Sequence, residues 1–524
     1  MHNFLSWAQL QPDKVVLIQA ETEESFTAGR IAARALQIAQ WLAAQQLKER
    51  DTIAILLENR VEILELVLAA REAGLYAAVI STHLTPAEVQ YIVQDSGAQM
   101  LFVSSATWPN AQAASQALGL PCHSVDRDTP GVGALDDVLK AAGDVAFQDL
   151  SLRSLGRDLL YSSGTTGRPK GVRKPLFGPQ YREQTDPEVA NTQRLMQFGP
   201  DMAYLSPAPL YHAAPLRYTL RALDSGGRAV IMRQFDAQFS LACIERFRIT
   251  HSQWVPTMLT RMLKLPDAVK NKYDLSTHRV AIHAAAPCPV PLKWAVLDWW
   301  GDILMEYYAG SEGCGTTLID SAEWRRKPGS VGRAIAGVLH VVDDDGNEVA
   351  PGEIGRIYFE KGGEFNYLND DAKTREAFND KGWATYGDIG YVDADGYLFL
   401  SDRRADLILS GGVNVYPQEI ENALVAHPAV DEVAVVGVPH EDFGEQPMAV
   451  IVLKPGHEGN EELACAIVAQ AAPHLSKVKW PKQVVFETRL PRLETGKLLR
   501  RVLKDRFREQ PNAGFDVRAA VAKA

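Results

Sequence analysis

The chain has 524 residues, with 54 basic and 65 acidic side chains and a formal net charge of −11. That length exceeds what one hydrophobic core supports, so two or more domains are expected, and the acidic balance argues against a nucleic-acid-binding surface. The five cysteines (Cys122, Cys243, Cys288, Cys314 and Cys465) are scattered with no CxxC pair, which excludes a disulfide scaffold and the common zinc frameworks and suits a reducing cytoplasm.

Met1 to Ala20 lacks the basic region and apolar core of a secretory leader, and no apolar run is long enough to span a bilayer. A soluble or peripheral protein is therefore expected. Residues 25–47 predict an amphipathic helix, with Ile31, Leu36, Ile38, Ala39, Leu42 and Ala43 on its apolar face. Asp51–Leu57 predicts a short buried strand, Val61–Gly74 a second helix, and Tyr76–Ile80 and Leu101–Val103 further strands. The pattern returns at Ala203–Leu205, Arg228–Met232 and Arg279–Ile282. Short buried runs alternating with helices predict an α/β fold with a parallel sheet covered on both faces.

After about residue 330 hairpin signals dominate. Val338–Val342 leads through Asp343-Asp-Asp-Gly346, and Tyr391-Val392 leads through Asp393-Ala-Asp-Gly396 into Tyr397–Leu400. Asp-Gly between β-rich runs predicts a hairpin. Neither Asp cluster has the spacing or the closing Glu of a calcium loop. After the charged segment Asp402–Asp406 a compact α/β pattern follows. It comprises a helix at Pro417–Ala426, strands at Val430–Val438 and Met448–Leu453, a helix at Glu461–Ala471 and a strand at Gln483–Phe486. The expected division is a large domain over 1–401, with packed α/β sheets and a β-rich subdomain, then a hinge at 402–406. A small mobile α+β domain follows over 407–510, with a fraying tail at 511–524.

The most informative stretch is Tyr161-Ser-Ser-Gly-Thr-Thr-Gly-Arg-Pro-Lys-Gly-Val172, which follows the strand end Leu159–Tyr161. Its glycines let backbone N–H groups approach an anion, its hydroxyls add donors, and Lys170 adds charge. That is polyphosphate-gripping chemistry. It is not a Walker A loop, because Lys170 lies between Pro169 and Gly171 instead of opening a helix.

From about residue 3 to 507 the sequence resembles the adenylate-forming superfamily of acyl-CoA synthetases, acyl and aryl ligases, adenylation domains and luciferases, with several motifs in the family's order. Residues 161–172 resemble its phosphate loop, which makes Ser162, Ser163, Gly164, Thr165, Thr166, Gly167 and Lys170 nucleotide contacts and gives Thr165 a part in catalysis and metal binding. Pro209-Leu-Tyr-His212 resembles the motif whose histidine lies between nucleotide and acyl pocket. His283-Ala-Ala-Ala-Pro287 resembles the adenine-side loop, with Ala284 in place of glycine and Ala285 beside it. Tyr308-Ala-Gly-Ser-Glu312 resembles the Tyr-Gly-x-Thr-Glu motif; by that match Tyr308 stacks on adenine, Ser311 contacts phosphate and Glu312 holds Mg²⁺. Gly382–Asp388 resembles the ribose motif, with Asp388 accepting from ribose hydroxyls, and Asp402-Arg403 resembles the hinge motif, with Arg403 directed at ribose and phosphate, ahead of hinge residues Arg404 and Ala405. Ser410–Pro417 resembles the pantetheine-tunnel loop, which assigns Ser410, Gly411 and Gly412 to CoA. Leu490–Lys497 resembles the motif carrying the adenylation lysine, Lys497.

This chain departs from the family pattern at Ala405, where many members carry Asp or Lys, at Tyr386, a frequent Thr, and at Ala309, usually Gly. The resemblance implies an ATP- and Mg²⁺-dependent ligase that forms an acyl-adenylate and passes the acyl group to the thiol of CoA. Adenylation needs positioning and positive charge more than a protein nucleophile, and Lys497 suits it as a compact point charge.

The motif near His212 has no acid for a substrate amine, which argues against an amino acid. The expected acyl pocket (His212, Trp254, Val255, Ala309, Gly310 and Cys314) is largely apolar or small, so a hydrophobic carboxylic acid is expected, a medium- or long-chain fatty acid first. A steroid side-chain acid or a cinnamate-type aromatic acid is the alternative. Loading of a carrier protein, and a non-catalytic acyl or nucleotide sensor, are competing readings. A homodimer is left open.

Overall fold

A computed structural model describes residues 2–142, 148–162, 169–403, 406–410, 413–440, 443–475, 477–492 and 498–517. Among the described residues, nine strands form the largest sheet. At its centre Leu304–Tyr308, Val280–His283, His251–Trp254, Ala203–Ser206, Arg228–Ile231 and Val15–Gln19 run parallel. A second sheet, built on Ala98–Val103, Thr52–Leu56 and Tyr76–Val79, is also parallel.

Alternation along the strands explains the layering. Leu17, Tyr204, Ile231 and Ile282 point to the core between the two sheets, and Ile18, Leu205, Val230 and Ala281 point to the other face. The inner core holds the helices Ala28–Ala44 and Val61–Ala73. The second of these is buried on almost every side, as its nearly continuous apolar sequence requires. The outer face is covered by Ala237–Arg246, Pro256–Leu263 and Val290–Trp300. The expected helices and strands occupy these positions with ends shifted by a few residues.

In the β-rich part, Asp388–Val392 and Leu398–Arg403 form the expected hairpin, closed where Asp393 N–H donates to the Tyr397 carbonyl at 3.0 Å. Asp393 and Asp395 both accept from Lys327 Nζ. The first Asp-Gly turn also closes, with Asp343 N–H on the Asn347 carbonyl at 2.9 Å, but Val338–Val342 pairs mainly with Gly355–Glu360, well beyond the turn. The C-terminal segment has its own sheet and core around Ile408, Val435, Ile451 and Ile467. The expectation of a fraying tail is corrected at its start: Phe515–Asp516 pairs with Val484 and Gln483, and Val517 is buried. Burial of one apolar side chain anchors those last residues. Among the described residues no helix is long and apolar enough to cross a membrane.

Candidate active site

The carboxyl ends of the parallel strands open on one cleft of about 3300 Å³, the usual place for ligands in such sheets. Four distant segments meet there. Tyr308 ends a central strand, and its hydroxyl donates to Asp388 Oδ2 at 2.6 Å, at the start of the hairpin strand. Glu312 follows in the next turn, and its Oε1 accepts from the Tyr367 hydroxyl at 2.9 Å. Tyr367 is paired with Val172, on the strand Lys170–Arg173 that leaves the expected phosphate loop. Lys170 Nζ lies 5.7 Å from the Tyr367 ring centre and 4.0 Å from Asp370 Oδ2. Burial, then the neighbouring Lys373, lowers its pKa.

The adenine-side loop begins where Val280–His283 ends. Ala284 N–H donates to the Trp254 carbonyl at 3.4 Å, and Ala285 stands at φ 76°, a left-handed conformation that costs a residue with a Cβ about 1–2 kcal/mol. Beneath the loop Lys293 Nζ contacts Glu306 Oε2 at 2.6 Å, both side chains nearly inaccessible, with His283 Nε2 at 3.8 Å. Burial raises the Glu306 carboxyl above its ordinary range, against the pull of Lys293.

His212 caps the helix Ala213–Asp224 at the cleft. Its Nε2 is buried without a hydrogen-bond partner among the described residues, and burial lowers its pKa to about 4, so the imidazole is neutral at pH 7. Ser311 is fixed from the same helix: Arg217 donates to its carbonyl at 3.3 Å and to Asp158 Oδ2 at 2.8 Å.

Val255, Ala309 and Gly310 line the cleft, and Trp254 reaches it while its indole N–H donates to Ser252 Oγ. Gly310 explains the departure at Tyr386. A Cβ at Gly310 would lie 2.4 Å from the Tyr386 ring, whose hydroxyl donates to the Gly315 carbonyl at 2.8 Å. Cys314 is corrected: it is fully buried against Val172, Phe359 and Leu398 and does not line the cleft, its side chain turned into that core while Gly313, Gly315 and Thr316 stay on the wall. Ser410 is also buried, at a strand end paired with Gly444, and off the cleft.

Arg403 is paired in register with Asp388, which puts its backbone beside the ribose candidate. Ser162 is paired with Lys170 at the base of the loop. The expectations on Ser163, Gly164, Thr165, Thr166, Gly167, Arg404, Ala405, Gly411, Gly412 and Lys497 lie outside the described residues. The start of the lysine motif, Leu490 to Arg492, does line the cleft, and Lys264 Nζ bridges to Asp431 Oδ1 at 2.6 Å across the two parts of the chain. Sequence reasoning missed Tyr367, Asp158, Arg217 and Lys174. Alternation along Lys170–Arg173 was the available signal for Lys174, which falls on the face of Val172.

The AMP-binding enzyme model matches residues 4–365, and the model of the AMP-binding enzyme C-terminal domain matches 419–497. A long-chain-fatty-acid–CoA ligase of Mycobacterium tuberculosis, FadD13, is 32% identical over 513 residues, covering 95% of this chain and 97% of the relative. A 2-succinylbenzoate–CoA ligase of Bacillus subtilis is 31% identical over 507 residues, covering 95% and 96%. The ATP-bound crystal structure of MatB from Rhodopseudomonas palustris matches with a TM-score of 0.84 at 28% identity, covering 97% of this chain and 99% of that one. The chain therefore belongs to the AMP-binding enzymes, the adenylate-forming superfamily. Within it the chain is an AMP-forming ligase of the acid–CoA type.

Proposed function

We propose that the enzyme adenylates a carboxylic acid with ATP, releases pyrophosphate, and transfers the acyl group to the CoA thiol after its C-terminal domain turns about residues 402–406. The observation that carries this reading is the convergence of Tyr308, Asp388, Glu312 and Lys170 on one cleft from separate segments. Asp388, with one oxygen held by Tyr308, would accept from ribose hydroxyls. Ser311, Lys170 and the loop residues 162–167 would hold phosphate. Lys497 would stabilise charge between carboxylate and α-phosphate during adenylation and leave when the domain turns. Arg403 would follow ribose and phosphate, Arg404 and Ala405 would form the pivot, and Ser410, Gly411 and Gly412 would line the thiol's path.

Among the described residues no cluster of three or more His, Cys, Asp or Glu side chains is set to hold a metal alone. Glu312 still suits Mg²⁺, a hard cation that takes one or two carboxylates and completes its shell with substrate phosphates and water. Glu312, with Thr165, would hold it, and the ion would supply charge to the leaving pyrophosphate. Tyr367 keeps the Glu312 carboxylate oriented. His212, neutral at pH 7, would orient the acid without competing for its charge.

The acid is read as having an apolar body, set against Trp254, Val255, Ala309 and Gly310. A medium- or long-chain fatty acid fits that wall and the name of the mycobacterial relative. An aromatic acid fits it and the name of the Bacillus relative. The five free cysteines suit a reducing compartment such as the cytoplasm. The test is pyrophosphate release with ATP and Mg²⁺ over fatty, aromatic and steroid acids, with and without CoA. Acid-dependent release with acyl-CoA detected by mass supports the reading. Release without CoA turnover moves it to a carrier-protein ligase, and no release with any acid overturns it.

A further inference from the structure

The wall of the cleft opposite the adenine loop carries a buried layer of charge that the reaction does not use. The two strands of the phosphate hairpin place Asp158 and Lys174 as neighbours on one face, beyond the pairing of Leu160 with Val172. The helix Ala213–Asp224 brings Arg217 and Arg221 to the same layer, and Glu188 comes from the helix Pro187–Met196. Most of this charge is matched. Arg217 pairs with Asp158, and Arg221 and Arg157 pair with Glu188.

Lys174 is the exception. It is 7% exposed, lines the cleft, and among the described residues its ammonium makes no hydrogen bond and no ion pair. It is packed against Gly313, at φ 72°, where a Cβ would come within 2.2 Å of Nζ and displace the ammonium. Burying an ammonium without a partner is expensive. An ammonium held in that layer and facing a ligand cavity is available to a group the ligand brings.

The Lys174 backbone lies well away from the loop's own lysine. Lys170, at the loop end of the strand, and Lys174 are four residues apart, about 13 Å along an extended chain. The layer is built on the helix that His212 caps, and the ammonium itself meets Gly313, one residue past Glu312. We propose that Lys174 is a second recognition subsite for the acid, taking an anionic group, a carboxylate or its equivalent, carried away from the carboxylate that is adenylated. This rests on the acid–CoA ligase reading and narrows the acid to one with an apolar body and a second charged end.

The groups facing Lys174 make it the one that titrates near neutrality. Burial, then Arg217, lowers Lys174 to about 7, against the opposing pull of Glu188 and Asp158. Burial opposes ionisation of Asp158 and Glu188, but the arginines, together with Lys174, outweigh it and hold both below the usual range. Asp186, at the cap of the Glu188 helix, is raised by burial and then by Glu188, and it starts from an acidic value. Cys314, behind Gly313, is pushed up by burial. Arg217 and Arg221 are raised by their carboxylates against burial and stay charged.

The test compares straight-chain monoacids with α,ω-diacids of equal length, from three to ten carbons, by ATP-dependent pyrophosphate release. Wild-type protein is expected to favour the best diacid over its matched monoacid by about tenfold or more in kcat/KM. Lys174→Met is expected to lower that ratio at least about tenfold, and Lys174→Arg to retain more of it than Met. In wild-type protein the KM for the diacid should rise as pH goes from 6.5 to 8.5, as the ammonium is lost, with no matching rise for the monoacid. Equal or better use of monoacids, an unchanged ratio in Lys174→Met, or a flat pH profile each overturns the subsite while leaving the ligase reading intact. No release with any acid overturns both. The wild-type pH series holds even if the variants fold poorly.

Discussion

The two walls of the cleft treat a buried lysine in opposite ways. On the adenine side Lys293 is paired with Glu306 at 2.6 Å and its ammonium lies 4.7 Å from the Trp324 ring centre. On the hairpin side Lys174 has the same chemistry and similar burial, yet among the described residues it makes no direct ion pair, and Glu188 and Asp158 act on it only at longer range. The first arrangement is complete before any ligand arrives. It supports a loop that already holds Ala285 in a left-handed conformation. The second is complete only when something binds. A buried charge with its partner built in is a structural element, and one without a partner marks where the partner will come from outside.

Breaking the complete pair should produce the largest effect. Glu306→Leu leaves Lys293 buried and uncompensated and is expected to cost about 3–5 kcal/mol in urea unfolding, with Glu306→Leu/Lys293→Met recovering most of it. Lys174→Met, by the same measurement, should cost nothing or add stability, since it removes a charge that has no partner in the free protein. A loss of similar size at both lysines would erase the distinction between the walls.

Next in size is the metal candidate between the walls. Glu312→Gln is expected to lower pyrophosphate release roughly 100-fold and to flatten its dependence on Mg²⁺ concentration. An unchanged rate and Mg²⁺ profile would remove Glu312 from that role. The smallest effect belongs to a buried charge far from either wall. Glu65, on the buried helix Val61–Ala73, is raised to about 7 by burial and then by Glu62. Its folded-state pKa lies above its unfolded value, so stability falls as pH climbs from about 4.5 through 7. Glu65→Gln should therefore gain on the order of 1–3 kcal/mol at pH 8 and little at pH 4.5. Equal gains at both pH values would assign the effect to something other than its charge.

Much of the scaffold was legible in the sequence because its signals are local. Parallel strands buried on both faces read as short apolar runs, and Asp393–Gly396 marks its turn by composition alone. The helix Arg500–Glu509 was not foreseen, since only Leu503 and Phe507 are buried in an otherwise charged segment. Val15–Gln19 was missed as a strand although it pairs locally with Ser25–Thr27; its parallel partner lies more than two hundred residues away, at Ala229 to Ile231. In the site, Tyr308, Glu312 and Asp388 were found because each sits in a motif. Tyr367, Arg217 and Lys174 act through contacts between segments far apart in the chain, and no linear spacing announces those. Cys314 shows the converse failure: adjacency to Glu312 in sequence suggested a place on the wall, and its side chain packs into the core instead, between Gly313 and Gly315, which do line the cleft.

The packing of Tyr386 on Gly310 also bears on how this sequence can change over time. The ring occupies the volume that any side chain at position 310 would need, and its hydroxyl is tied to Gly315 from both the carbonyl and the N–H. A lineage exploring larger residues at 310 meets a clash on the first step, whereas one that first shortens Tyr386 opens a space that position 310 can then fill. The two positions are thus epistatic in a fixed order, and the route to a reshaped cleft runs through 386 before 310.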